Sequence, residues 1–351
     1  MAADLENRPA AAPGSTGSAS AAPATVIIQQ PGFLGRTRTW LLTALLAASL
    51  LANYGMYTAY QDYFAATEGP SEKYHSGEHI AADKLAIIRV AGVIMAPFSE
   101  RVIKTIKKAR EDEHVKGILL VVESPGGTVT DSHKIYHELK KLSAEKPVVV
   151  SMGSLAASGG YFVAMGAGTK SKIFAEPTTW TGSIGVIIPH YEVTEVAQKI
   201  GFKAAPLKTG EFKDSLSPFR EMTPRDKEVW DNILNQSFDL FLEVIDENRD
   251  TLTMAQVRTL ANGQIYTAQD AKKLGMIDEI GFEEDALAEL KKITNLSKAR
   301  VVTYHHTVDI WDALLGSATS HDPAVQWKSL LELTVPRAMY YFSGGLPLPP
   351  G

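Results

Sequence analysis

The chain has 351 residues, 45% of them hydrophobic and 21% charged, with a formal net charge of −5 and no cysteine. This is the composition of a folded chain, and its negative balance gives no support to a nucleic-acid partner. The lack of cysteine excludes disulfides, a thiol nucleophile and thiolate metal sites together.

Residues 1–39 open with an Ala-, Pro-, Ser- and Gly-rich stretch that has little to bury, and they read as a disordered tail. From Trp40 the chain runs WLLTALLAASLLANYGMY without a charge, and extending it to Tyr60 supplies the roughly 20 apolar residues that a membrane span needs. Trp40, Tyr54, Tyr57 and Tyr60 lie toward the ends of the run, where interfacial aromatics are expected. A cleaved signal peptide is usually about 15–30 residues in all, whereas 39 residues precede this run. A buried core helix is the other reading, but the run has no polar face. Arg36 and Arg38 precede the span, and the first basic residue after it is Lys73. The positive-inside rule therefore expects a single-pass protein with a cytoplasmic N-terminus and an extracytoplasmic bulk.

Residues 61–82 read as a juxtamembrane linker, and at Asp83 a regular alternation begins that is expected to make one domain of 83–295. KLAIIRV (84–90) is a strand candidate, and Ser99 is expected to cap a helix to about Arg110 with Val102, Ile103, Ile106 and Ala109 on one face. GILLVVE (117–123) suits a buried parallel strand, and a helix is expected around 130–143. PVVVSM (147–152) and IGVII (184–188) are further strand candidates. Thr223-Pro224-Arg225-Asp226 is a capping-box variant opening a long amphipathic helix with Trp230, Ile233, Leu234, Phe241 and Ile245. Another helix starts at Thr267 and stops at Gly275. Strands alternating with helices predict an α/β domain with covered sheet faces. Residues 296–351 form a C-terminal extension with no assigned role.

Two glycine-bearing motifs follow strands. Ser124-Pro125-Gly126-Gly127 is either an ordinary turn or a concave set of N–H groups able to hold an oxyanion. Ala156-Ala157-Ser158-Gly159-Gly160-Tyr161 places a serine between a strand and a helix, as a simple N-cap or as a nucleophile stabilised by free N–H groups and the helix dipole. The G-x-S-x-G pattern of α/β-hydrolases is absent. A serine nucleophile needs a base. His133, His137 and His190 lie in the α/β region without a context that marks any of them as that base. A neutral lysine is the alternative, and spacing does not single out Lys213 within Lys208-Thr209-Gly210-Glu211-Phe212-Lys213-Asp214.

Taken together, SPGG (124–127), AASGGY (156–161), TGSIGV (181–186), FKDSLSPFREMT (212–223) and YTAQDAKKLGMIDEIGF (266–282) resemble the signal peptide peptidase A family (protease IV) in its single-domain form. The resemblance covers about 84–285. It implies an α/β domain of crotonase/Clp-protease-like layering on a single N-terminal transmembrane helix. It further implies a Ser–Lys serine peptidase with Ser158 as nucleophile, Lys213 as general base and Ser183 holding the lysine amine. The N–H groups of Gly127 and Gly159 would be the oxyanion donors. No cofactor or metal is implied.

By the same resemblance the substrates are remnant signal peptides and other apolar or unfolded segments. The partners are the bilayer and copies of the chain itself, in a ring whose dyads are shared between neighbours. The location implied is the bacterial inner membrane, with the catalytic domain in the periplasm. The alternatives are a Ser–His–Asp peptidase of Clp type and an inactive membrane scaffold on the same fold. Three departures from the family pattern stand out: Glu123 occupies a frequent Asn position, Phe162 a frequent Tyr position, and the loop GAGTKSK (166–172) is slightly enlarged. A carboxylate at 123 would oppose an oxyanion if it faced the turn.

Overall fold

The structure is a computed structural model that describes residues 33–65, 70–306 and 338–341. The expected tail lies outside these residues up to position 32, and so does most of the C-terminal extension. The chain divides into two units at Ala66/Thr67. The first contains helix α1 (Phe33–Ala65), in which Trp40–Thr58 is long and apolar enough to cross a membrane by length and composition. Apolar side chains along it, including Trp40, Leu45 and Leu51, are exposed.

The second unit is a mixed α/β domain. In chain order it contains β1 (Ser71–Gly77), β2 (Lys84–Ala91), α2 (Phe98–Glu111), β3 (Val115–Ser124), β4 (Gly126–Thr128), α3 (Val129–Glu145), β5 (Val148–Ala157) and α4 (Gly159–Ala164). There follow β6 (Ile173–Ala175), β7 (Trp180–Gly182), α5 (Thr194–Lys199), α6 (Pro224–Asn248), α7 (Met254–Leu260), β8 (Ile265–Thr267) and α8 (Ala268–Lys273). The described elements end with β9 (Glu279–Ile280), α9 (Glu283–Ile293), β10 (Arg300–His305) and β11 (Met339–Tyr341).

The main sheet has the order β1-β10-β2-β3-β5-β6-β9, and it is parallel from β10 to β9. β7 extends it by pairing in parallel with β5, and β8 pairs antiparallel with β7. Strands β2, β3 and β5 are runs of Val, Ile and Leu because both of their faces are buried. Ile118, Leu120 and Val122 of β3 point into the larger core, which α2, α3, α4 and α6 also line. Leu119 and Val121 point the other way, against Ala286 and Leu290 of α9. The period-2 alternation of a strand thus feeds two cores at once.

Several expectations change. The linker expected at 61–82 is partly ordered, since α1 continues to Ala65 and β1 pairs with β10. Residues 300–305, placed beyond the domain by sequence, insert as β10 between β1 and β2. Ser99 does not cap α2: Pro97 holds the N-cap position, and the Ser99 hydroxyl donates instead to Asp131 Oδ1 at 3.0 Å. IGVII is not a strand, and within it only Ile187 makes an isolated bridge, to Met339. The Thr223 capping box is present, with both reciprocal bonds to Asp226. The buried hydrophobic residues of α6, Phe241, Leu242, Val244 and Ile245, all lie in its C-terminal half, while Ile233 is exposed.

Leu120 is fully buried at the centre of β3. Leu120→Ala is expected to cost about 2–5 kcal/mol, from lost transfer energy plus the cavity it leaves. The readout is a lower urea midpoint at unchanged slope.

Candidate active site

Ser158 occupies the single residue between the end of β5 and the start of α4. Its backbone sits at φ 54°, ψ −116°, a region that non-glycine residues rarely enter and that over-determined packing must hold. Two main-chain bonds fix it: its N–H donates to the Gly182 carbonyl at 2.7 Å, and its carbonyl accepts from the Phe162 N–H at 2.9 Å. It stands at the N-cap position, yet its hydroxyl makes no capping bond. The result is a strained strand-to-helix turn without the G-x-S-x-G sequence.

The β5–β7 pairing brings the second serine alongside. Ala157 is the register partner of Gly182, so Ser158 and Ser183 are the next residues on two adjacent parallel strands. Ser183 also has positive φ, at 50°, and its N–H donates to the Gln264 carbonyl at 2.7 Å. Both serines are buried.

The SPGG segment meets this turn from the other side. Rather than forming a plain turn, Gly126–Thr128 make the short strand β4. The Ser124 hydroxyl donates to the Gly92 carbonyl at 2.6 Å and accepts the Gly126 N–H at 3.1 Å. Gly126 has φ +100°, and a Cβ there would fall 2.7 Å from the Gly159 nitrogen. A Cβ on Gly127 would collide with the carbonyl of Ile94, and one on Gly160 would lie 2.8 Å from the Ser124 carbonyl oxygen. Two backbone turns therefore touch directly, and only glycine permits that approach. Thr128 then caps α3 by accepting the Asp131 N–H, which anchors the exit of the segment. Glu123 is exposed, and its carboxylate accepts from the Ser154 hydroxyl at 2.7 Å.

Lys213 lies in a 3-10 turn at Glu211–Asp214. Its side chain is exposed and has no hydrogen bond or ion pair with another described residue. Its neighbours are pinned by charge. Asp214 bonds Lys208 at 2.7 Å and Arg220 at 3.0 Å, and Arg220 bonds the buried Asp226 at 2.7 Å. The Lys208 ammonium and then Arg220 hold the Asp214 carboxyl below its usual range, and Arg220 with the Thr223 hydroxyl and N–H does so for Asp226. The Trp230 indole N–H donates to the Ser215 hydroxyl at 2.9 Å and ties this loop to α6. The structure brings Ser158, Ser183, Gly127 and Gly159 to one place and leaves Lys213 exposed in the single chain.

No described hydrogen bond joins a histidine to Ser158. His133 packs against Tyr136 and Phe162, and burial followed by His137 lowers its pKa. His190 Nε2 is buried without a partner among the described residues.

Sequence reasoning missed β11. Met339–Tyr341 pairs antiparallel with β4, placing Tyr340 opposite Gly127. Met339 also exchanges two main-chain hydrogen bonds with Ile187, each 3.0 Å. The signal was the short aromatic run Met339-Tyr340-Tyr341-Phe342, brief enough to pass as part of a tail.

Comparison with known proteins agrees with these motifs. The pattern of peptidase family S49 matches residues 140–297. A protein of Enterococcus faecium named as a signal peptide peptidase is 36% identical over 251 residues, covering 68% of this chain and 72% of its own length. A protein of Methanocaldococcus jannaschii named as a protease is 39% identical over 202 residues, and here the match covers 58% of this chain and 64% of the relative. Protease 4 of Haemophilus influenzae is 31% identical over 244 residues, 67% of this chain but 38% of that longer protein. On this similarity, and on the serine and glycine blocks whose packing is described above, the chain belongs to peptidase family S49, the family of signal peptide peptidase A and protease IV.

Proposed function

We propose that the protein is a membrane-anchored serine endopeptidase in which Ser158 is the nucleophile and Lys213 of a neighbouring copy is the general base. The observation that carries the reading is the strained Ser158 turn, packed between Ser183 and the glycine strand β4. The base takes the hydroxyl proton as Ser158 Oγ attacks the scissile carbonyl. The N–H groups of Gly127 and Gly159 hold the tetrahedral oxyanion, and the protonated lysine then gives its proton to the leaving amine. Ser183 orients the amine. Water releases the acyl group by the same route. The crotonase/Clp layering implied by the sequence blocks is part of the same proposal, and the parallel-rich sheet of the α/β domain supports it.

A lysine acts as a base only when neutral, and removal from water is what favours the neutral form. Lys213 is exposed in the single chain. A closed ring with a head-to-tail interface would bury it against the next copy's Ser158. A lone chain would then be inactive, which protects other proteins from stray cleavage. The substrates are remnant signal peptides and other apolar or unfolded segments near the bilayer, with α1 as the anchor and the domain on the extracytoplasmic side.

Ser158→Ala, Lys213→Ala and Lys213→Arg should each lower hydrolysis of a small peptide ester by on the order of 10⁴-fold or more while leaving the fold intact. Arginine fails because it does not surrender its proton. An active Lys213→Arg enzyme would remove lysine from the mechanism. Coexpressed in equal amounts, Ser158→Ala and Lys213→Ala chains should recover about a quarter of the activity, since about one interface in four joins two intact partners. Background activity in verified mixed rings would place the dyad within one chain.

The acid pairs around Lys213 set a further expectation. Because the Asp214 and Asp226 pKa values are depressed in the folded state, their contribution is complete above the ordinary carboxylate value of about 4. It is lost only as pH falls through the depressed values. Fluorescence of Trp230, in a variant retaining that tryptophan alone, should stay constant down to about pH 4 and change below it. A transition centred near pH 6 would contradict the assignment of these pairs.

A further inference from the structure

Helix α2 is strongly basic in a chain that is acidic as a whole. It carries Arg101, Lys104, Lys107, Lys108 and Arg110 against Glu100 and Glu111 at its two ends, whereas the net charge of the chain is −5. Helix α6 shows the opposite balance, with Arg225 and Lys227 outnumbered by carboxylates along its length. The spacing 101, 104, 107, 108 puts four cations on one face of α2, because Val102, Thr105, Ile106 and Ala109 turn its other face into the domain. Arg101, Lys104 and Lys107 are exposed, and neither Arg101 nor Lys107 makes an ion pair with a described residue. Arg110 lies off this face and pairs with Glu138 and Glu145 at 3.7 and 3.8 Å.

The same helix adjoins the place where the chain enters the domain. The Lys108 ammonium donates to the Pro70 carbonyl at 2.6 Å. Thr105 Oγ1 lies 3.1 Å from Nε2 of His306, and the carbonyl of the preceding His305 accepts from the Ser71 hydroxyl at 3.1 Å. Because β10 runs parallel to β2, β3 and β5, its His305 end lies toward the sheet edge from which the Ser158 turn emerges. Residues 66–69 alone separate Ala65, the end of α1, from Pro70, and the steps between them reach about 18 Å at most. The helical stretch from Thr58 to Ala65 adds about 10 Å. The tether from the apolar span to the residue bonded by Lys108 is therefore shorter than about 30 Å.

We propose that the exposed face of α2 is a docking surface for the phosphate-bearing headgroups of an anionic bilayer. The proposal rests on reading α1 as a membrane anchor and adds to it a second, electrostatic contact. Charge complementarity selects this occupant, since an anionic leaflet attracts each Lys or Arg brought within a Debye length, about 8 Å at physiological salt. A tether this short keeps the face within reach of the surface. Lysine stems are long and flexible, so they follow mobile headgroups without a preformed cavity. The contact selects which side of the domain meets the membrane. The basic face is drawn to the leaflet, the acidic α6 is repelled from it, and the sheet edge bearing the Ser158 turn is held near the bilayer. An apolar anchor and a basic surface acting together bind more firmly than either alone.

The absence of cysteine makes the test direct, because Glu111→Cys creates a single labelling site on α2. The full chain carrying a fluorophore there is reconstituted into phosphatidylcholine vesicles with or without about 30% phosphatidylglycerol. Quenching by a lipid with a nitroxide headgroup reports approach of α2 to the surface. Quenching should be several-fold stronger with phosphatidylglycerol and should fall back in about 0.5 M salt. Replacing Arg101→Gln, Lys104→Gln and Lys107→Gln together should remove the difference, since three cations at roughly fivefold each lower the docked ratio about a hundredfold. An unchanged urea midpoint shows that the triple variant is folded. Equal quenching in the two vesicles, or a difference that survives in the triple variant, overturns the proposal. Reversal by millimolar inorganic phosphate would overturn the bilayer as occupant and leave a small-anion site. Release of the chain from uncharged vesicles by alkaline carbonate would instead defeat the anchor reading. The α2 surface is then read by binding from solution to the anionic vesicles, which the triple variant should lose and whose persistence there overturns the docking surface.

Discussion

Contact between two backbone turns underlies the whole site. Gly126 and Gly127 on one side and Gly159 and Gly160 on the other approach so closely that a single methyl group at any of them would strike a neighbouring atom. Glycine removes the Cβ, which lets the two main chains come into direct contact. The sheet makes the approach possible. β3 leads into the SPGG segment and β5 into Ser158, and the two are direct parallel neighbours with both faces buried. Parallel strands end at the same edge, so the turns that follow them are adjacent by construction.

Strain at Ser158 has a clear support. A residue at φ 54°, ψ −116° needs surroundings that leave it no alternative. These are the bond from its N–H to Gly182, the buried α4 behind it and the β5–β7 register. That register also positions Ser183, so one strand pairing holds both serines. Polar contacts nearby serve the same rigidity: Ser124 ties the glycine strand to Gly92, and Thr128 and Asp131 seal the start of α3.

Lys213 contrasts with this rigidity in being exposed, but its loop is not loose. Lys208, Asp214, Arg220 and Asp226 form an alternating chain of charge, ending in the capping box of α6. Such a network fixes the loop while leaving the Lys213 side chain exposed and unpaired among the described residues. The aromatic cluster of Phe162, Phe241 and Tyr340 is core packing that joins α4, α6 and β11.

Much of this was legible in the residues alone. The parallel strands showed as Val-, Ile- and Leu-rich runs, the start of α6 as Thr223-Pro224-Arg225-Asp226, and the serine and glycine blocks by their order. These are local signals, because burial on two faces, a helix cap and a close backbone approach each demand particular residues within a few positions. Other features were decided only when distant segments met. The IGVII run reads as a strand, but among the described residues its one bridge is from Ile187 to Met339 of β11. Residues 300–305 carry an ordinary apolar run, and nothing within it announces that it pairs between β1 and β2. Ser158 could have been a plain N-cap until its backbone angles and idle hydroxyl were seen. The composition and periodicity of a segment determine what it can bury, whereas register and docking depend on which remote segment reaches it first with a matching edge. For this protein the sequence determined most of the elements and the family, and the tertiary structure alone decided that Ser158, Ser183, the glycine strand and β11 come together while Lys213 stays exposed.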